Sequence, residues 1–146
     1  MKRLQEISGF TLVELIVILV LLGIVSAVAL PRFFGLTDYQ VRAAYDEVTA
    51  AVRYAQKLSV ASGCEVRVQI FNDGYALQQH QTSCHSGAFV DISDHPVTRN
   101  TFSDVTLSPV TSFIFDKMGR CSASLTIHVG DKNFDIIAET GYVNAQ

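Results

Sequence analysis

The sequence predicts an α+β fold, a long N-terminal helix packed on an antiparallel β-sheet or sandwich, and three successive hydrophobic patterns carry that reading. Residues 10–30 are apolar almost without interruption, the following stretch to Leu58 repeats apolar side chains at spacings of three and four, and beyond Gly63 the repeat becomes alternation. Helix first and sheet afterwards is the order of an α+β domain. With 146 residues, 49% of them apolar, the chain has room for one membrane-length helix and one globular unit of about 100 residues, and not for two full domains.

The first element is the run from Phe10 to Leu30, whose one charge is Glu14. As a helix rising about 1.5 Å per residue it is long enough for a hydrocarbon core of about 30 Å. Lys2 and Arg3 precede it, which places the N-terminus in the cytoplasm and the bulk of the chain outside. An ordinary secretory signal has its small-residue cut site after the apolar stretch. Here Gly9 stands before it, and a carboxylate lies inside it, where insertion of an ionised acid costs about 2.5–3.5 kcal/mol. A charge at such a cost implies a partner. Gly23, Ser26, Ala27 and Ala29 are small enough to let another helix come close.

Pro31 lacks an amide donor and clashes with the preceding turn, so it is expected to kink or break the helix, with Gly35 loosening it further. Thr37 or Asp38 can cap a renewed helix. Its apolar stripe is Val41, Ala44, Tyr45, Val48, Val52, Ala55 and Leu58, its polar face Arg42, Asp46, Glu47, Arg53 and Lys57, and Ser62-Gly63 supplies the stop. Val66, Val68 and Ile70 then share one face of a strand. A turn at Asn72-Asp73-Gly74, with Asp73-Gly74 central, returns the chain through Tyr75 to Leu77 and sets Cys64 opposite Ser83. From Ser83 to Asn100 the chain reads as a polar loop with a short edge strand near Phe89 to Ile92. Further strands are expected at 105–107, 112–115, 124–129, 133–137 and 141–144, broken at Lys117-Met118-Gly119 and Gly130-Asp131-Lys132.

The residues Gly9-Phe10-Thr11-Leu12-Val13-Glu14-Leu15, with Pro31 closing the apolar run, resemble the N-terminus of the type IV pilin-like family, shared by pilins and type II secretion pseudopilins. Ser8 departs from the basic residue usual before the glycine. The resemblance implies a leader of residues 1–9, a transmembrane and assembly helix of 10–30, an amphipathic helix within 31–63 and a periplasmic β domain of 64–146. It implies that a prepilin peptidase cuts between Gly9 and Phe10 and methylates the new amine of Phe10. It also implies that Glu14 pairs with such an amine during assembly, which fits the electrostatics, because two opposite charges in a low-dielectric bundle need each other. A looser similarity, from Phe113 to Asp116 and on through Tyr142-Val143, together with Ala50 to Gln56, is to minor pilins of the mannose-sensitive haemagglutinin pilus or H-type minor pseudopilins.

The partners that follow are the prepilin peptidase, major and minor pilins, an inner-membrane assembly platform, and inner-membrane lipid before assembly. The expected function is that of a minor pilin that starts or caps a filament, matured in the inner membrane. The alternatives are a minor pseudopilin of type II secretion and an adhesive or DNA-receptor pilin. An adhesive subunit would use the loop from Ser83 to Asn100. A DNA receptor would need a basic cluster, whereas the C-terminal part offers only Lys117, Arg120 and Lys132 on an acidic chain, so no nucleic acid is expected.

Three cysteines allow one disulfide and leave one thiol: Cys64 with Cys84, stapling the open end of the hairpin through a bulge or longer loop, Cys84 with Cys121, or no bond. Cys84, His80, His85 and His95 lack metal-ligand spacing, and no metal or cofactor is expected. Neither a nucleophile elbow nor a phosphate loop occurs, and Asp91, Asp94 and Asp104 read as a solvated loop, so the chain is not expected to be an enzyme. Tyr45, Tyr54, Phe113, Phe115 and Phe134 are expected in the core.

Overall fold

The computed structural model describes residues 10–29, 36–84, 86–93 and 95–145, with side chains from 27 to 29 and at 36 and 37 left aside. Two compact units divide the chain, Met1–Leu36 and Thr37–Gln146. The first contains helix α1, Leu12–Ala29. The kink expected at Pro31 lies outside the described residues.

The second unit is organised by helix α2, Leu36–Ser62. Asp38 lies inside its first turn, where its charge meets the positive end of the helix dipole. Gly63, at φ +68°, supplies the left-handed residue that ends it. The stripe that α2 buries is Ala44, Tyr45, Val48, Ala51, Val52 and Ala55, with Val41 and Leu58 half-covered at its ends. Each buried methylene contributes about 0.8 kcal/mol, so this stripe anchors the helix to the sheets.

Strands β1, Val66–Phe71, and β2, Gly74–His80, form the first hairpin. Its register pairs Phe71 with Gly74, so Asn72 and Asp73 form the two-residue loop and Gly74 belongs to the strand. Gly74 is needed there for approach rather than for turning: a Cβ would stand 2.2 Å from the Asn100 carbonyl oxygen. That carbonyl belongs to β4, Arg99–Thr101, which pairs with the start of β2, while β3, Phe89–Asp91, pairs with its end. The segment read as mostly loop thus supplies two edge strands joined through a 3-10 turn at Pro96–Thr98. On the other side β1 pairs with β6, Thr111–Phe115, completing a five-stranded antiparallel sheet.

A second, four-stranded sheet follows the order β5, Leu107–Ser108; β7, Leu125–Val129; β8, Lys132–Ile136; β9, Val143–Ala145. Gly130, at φ +60°, opens the β7–β8 turn, whose tip rests on Val41 of α2. The core lies where α2 meets both sheets. Tyr45 packs edge-on to Phe134, and Phe113 edge-on to Phe115. The Leu107 amide donates to the Asn72 carbonyl and so ties the second sheet to the first hairpin.

Candidate functional site

Helix α1 presents apolar side chains on every face. From Leu12 to Val25 each large hydrophobic residue is exposed, between 38% at Ile18 and 73% at Leu12. A helix that is apolar all round is covered by lipid or by other protein when it functions. Among the described residues no helix is long and apolar enough to cross a membrane. The 18 residues of α1 rise about 27 Å, short of a core of about 30 Å, and the Leu30 end of the apolar run lies outside the described residues.

At the start of α1 the Thr11 hydroxyl accepts from the Glu14 amide at 3.2 Å, and the Thr11 carbonyl accepts from the Leu15 amide at 3.1 Å. Thr11 is therefore the N-cap and Glu14 the third helical residue, half of a capping box. The Thr-x-x-Glu spacing carries that signal in the sequence, and it gives Glu14 a place in the helix start as well as a charge to be paired. The Glu14 carboxylate is exposed and has no partner among the described residues. Phe10 is 72% exposed, and Gly9 lies outside the described residues. Gly23 has open space where a Cβ would stand, and the Ser26 hydroxyl donates to the Leu22 carbonyl at 2.7 Å, satisfying its polar group within the helix.

Cys64 and Cys84 form a disulfide with their Cα atoms 4.3 Å apart, and Cys121 is a buried free thiol. Cys84 lies four residues past the end of β2, and the chain reaches the bond by leaving the ladder: the Gln81 amide donates to Ala88 and the Glu65 amide to Cys84. Beside this staple the Phe89 ring touches two groups, with the Arg67 guanidinium carbon 3.7 Å from its centroid and the His80 ring centroid 3.9 Å away. The Nδ1 of His80 is 2.8 Å from the Gly87 carbonyl oxygen. His95 stacks on Tyr54 and accepts from the Val97 amide to cap the 3-10 turn. His85 and Asp94 lie outside the described residues. Asp91 is engaged by Arg99 and by Gln78.

The polar face of α2 does more than meet solvent. Glu47 Oε1 accepts from the Tyr75 hydroxyl at 3.0 Å and from Asn100 Nδ2 at 2.7 Å. Burial, then the Glu47 charge, then the hydrogen bond to Glu47 hold the Tyr75 phenol far above its ordinary range. Gln56 Nε2 donates to the carbonyls of Gly119 and Thr140 and pins two turns against the helix. In the first of these turns Asp116 accepts from the amides of Met118 and Arg120 and from the Arg120 guanidinium. Burial alone would raise this carboxyl, but those bonds and the Arg120 charge hold it below its ordinary range.

No family model matches the chain. Among curated proteins it is similar to the type IV narrow pilus major component PilA5 of Thermus thermophilus, 43% identical over 66 residues. The match covers 44% of this chain and 57% of that protein, so the chain spans little more than half the length of the curated relative it matches. Among solved structures it is similar to two crystal forms of the type IV minor pilin FimU of Pseudomonas aeruginosa. One has a TM-score of 0.54 at 15% identity, covering 72% of this chain and 91% of that one. The other has a TM-score of 0.55 at 14% identity, covering 77% and 92%. At such identities the likeness is one of fold, and the α+β arrangement described above is a type IV pilin fold.

Proposed function

We propose that this chain is a minor type IV pilin, a structural and not a catalytic subunit, which enters a filament through α1. The observation that carries the reading is a helix apolar on all faces, headed by a carboxylate that has no partner among the described residues, on a chain whose globular unit has the pilin fold. In this reading the precursor is held in inner-membrane lipid with its N-terminus in the cytoplasm and its β domain in the periplasm. A prepilin peptidase cuts between Gly9 and Phe10 and methylates the Phe10 amine. An assembly platform then moves the subunit from lipid into a bundle with major and minor pilins, where Glu14 neutralises a neighbouring amine and sets the axial register. The membership we favour is a pilus of the mannose-sensitive haemagglutinin type, where the subunit starts or caps the filament. The 43% identity over 66 residues to a component of a type IV pilus supports a pilus over a type II secretion pseudopilus.

Intact-mass measurement of the subunit from sheared filaments tests the maturation step. The expected species lacks residues 1–9, carries one added methyl group and has lost two hydrogens to the Cys64–Cys84 bond. A subunit that retains its first methionine in the filament overturns the reading. For Glu14→Ala we expect normal cleavage. We also expect filament incorporation lower by on the order of tenfold or more, since stranding one member of a buried pair costs about 3–5 kcal/mol. Equal incorporation of wild type and variant removes the pairing role.

A further inference from the structure

The globular unit is acidic as a whole: from Thr37 to Gln146 it carries 12 carboxylate side chains against 8 lysines and arginines. One flank of α2 is the exception. A groove of about 470 Å³ between the helix and the second sheet is lined by Arg42, Arg53 and Lys132, with Asp46 the one carboxylate among its described residues. Arg42 and Lys132 form no ion pair among the described residues, with Asp46 or any other carboxylate, and Arg53 donates only to the Val143 carbonyl, at 3.4 Å. Lys132 reaches the groove from the β7–β8 turn, its Nζ 5.9 Å from the centre of the Tyr45 ring. Asp38 and Asp131 are near in sequence but line no part of it.

Tyr39 extends this flank toward the start of α2. At about 3.6 residues per turn, positions 39, 42, 46 and 53 fall within about a sixth of a turn around the helix. The Tyr39 ring is 74% exposed, so a phenol without protein cover stands beside the cations, one turn before Arg42. An aromatic ring with a polar tip, next to long cationic side chains, is the composition that settles at the boundary between water and hydrocarbon. The chain brings such a boundary within reach. Six residues, 30–35, join the end of α1 to the start of α2, roughly 20 Å when extended, so a bilayer that holds α1 is tethered to this flank at high effective concentration.

We propose that this flank of α2 docks on anionic phospholipid headgroups of the bilayer that holds α1, with Arg42, Arg53 and Lys132 meeting the headgroup phosphates and Tyr39 entering the interface. The inference rests on the membrane-held precursor of the proposed function and gives that precursor an orientation. The remainder of the acidic unit is repelled by an anionic surface, so the unit meets lipid by this flank alone. Single headgroup contacts are weak and screened by salt, and the tether is what makes them count. A contact of this kind is reversible, as a subunit that must leave lipid for a filament requires.

The test uses the full chain held by α1 in lipid nanodiscs, a small fraction of whose lipid carries a nitroxide on the headgroup, and reads the paramagnetic broadening of backbone amides. In discs containing phosphatidylglycerol the amides of Tyr39, Arg42 and Lys132 should broaden on the order of threefold more than in discs of phosphatidylcholine alone, because each basic residue near an anionic surface favours the bound state several-fold. The difference should vanish as salt is raised. Read at the Tyr39 amide, Lys132→Glu and Arg42→Gln should each remove most of it. Lys117→Glu makes the same charge change in the exposed turn that Gln56 pins at the other end of α2, and should leave it in place. The amide spectrum of each variant checks that the fold is kept.

Equal broadening in the two kinds of disc overturns the proposal, and so does a Lys117→Glu variant that loses the effect along with Lys132→Glu. Soluble anions identify the source of the negative charge. If inorganic phosphate, added to phosphatidylcholine discs, shifts the same amides as strongly as phosphatidylglycerol does, the groove is a general anion site and the headgroup assignment falls. The same response to a poly-glutamate peptide assigns the flank to an acidic protein and also overturns the proposal. A chain that stays in the discs without any lipid dependence sinks the docking contact alone, while a chain that does not stay in them sinks the membrane-held precursor as well.

Discussion

Tyr75 and Glu47 show how much a single contact decides. The phenol is 1% exposed, and its hydroxyl donates to a carboxylate that Asn100 also holds, so α2, β2 and β4 meet at one oxygen. Tyr75→Phe should cost about 1.5–3 kcal/mol at neutral pH, the worth of one hydrogen bond to a charged group, read by urea denaturation. The pH dependence has a definite sign. The folded phenol titrates above the ordinary value of 10.0, so its stabilisation is complete below pH 10 and is lost as pH rises from there toward the folded value. Wild type should therefore lose stability above pH 10 more steeply than Tyr75→Phe, and equal slopes would contradict the assignment. In the sequence Glu47 reads as a solvated helix residue, because Asn100, its partner, is 53 positions away.

At the scale of elements, the polar stretch between β2 and β6 shows what a pattern leaves out. Arg99-Asn100-Thr101 has no alternation of apolar residues, yet it forms β4, because β2 offers a free edge and Gly74 lets the backbone approach. The same glycine moves the turn: Asp73-Gly74 is the stronger hairpin signal, but a glycine required in the ladder cannot serve as the loop. The disulfide is the staple of this region, and it joins residues 20 apart in sequence. Replacing both cysteines, Cys64→Ser with Cys84→Ser, should lower stability by about 3 kcal/mol on the chain-entropy estimate for a loop of this length. A change below about 1 kcal/mol in urea denaturation would show that the hairpin holds its open end without the bond.

For the whole molecule, the division between Leu36 and Thr37 separates a helix without a core from a unit with one. The buried cluster of the second unit is drawn entirely from residues beyond Val41. A chain beginning at Leu36 should therefore unfold in one cooperative transition, with wild-type β content by circular dichroism, while failing to enter filaments. Loss of cooperative melting would show that α1 contributes to the fold, and normal incorporation would show that it is dispensable for assembly.

The sequence by itself determined the order of elements, the stripe by which α2 docks, the C-terminal strands to within one or two residues, and the apolar helix with its lone carboxylate. These follow from local periodicity and from the cost of a charge among apolar side chains, both of which are properties of neighbours along the chain. Only the tertiary structure decided the hairpin register, the choice of Cys84 as partner for Cys64, the strand at Arg99–Thr101, and the hydrogen bonds of half-buried Glu47 to Tyr75 and Asn100. Each of those depends on which distant segments share an edge or a face, and that is settled by packing two sheets on one helix, where space and hydrogen-bond partners are allotted jointly.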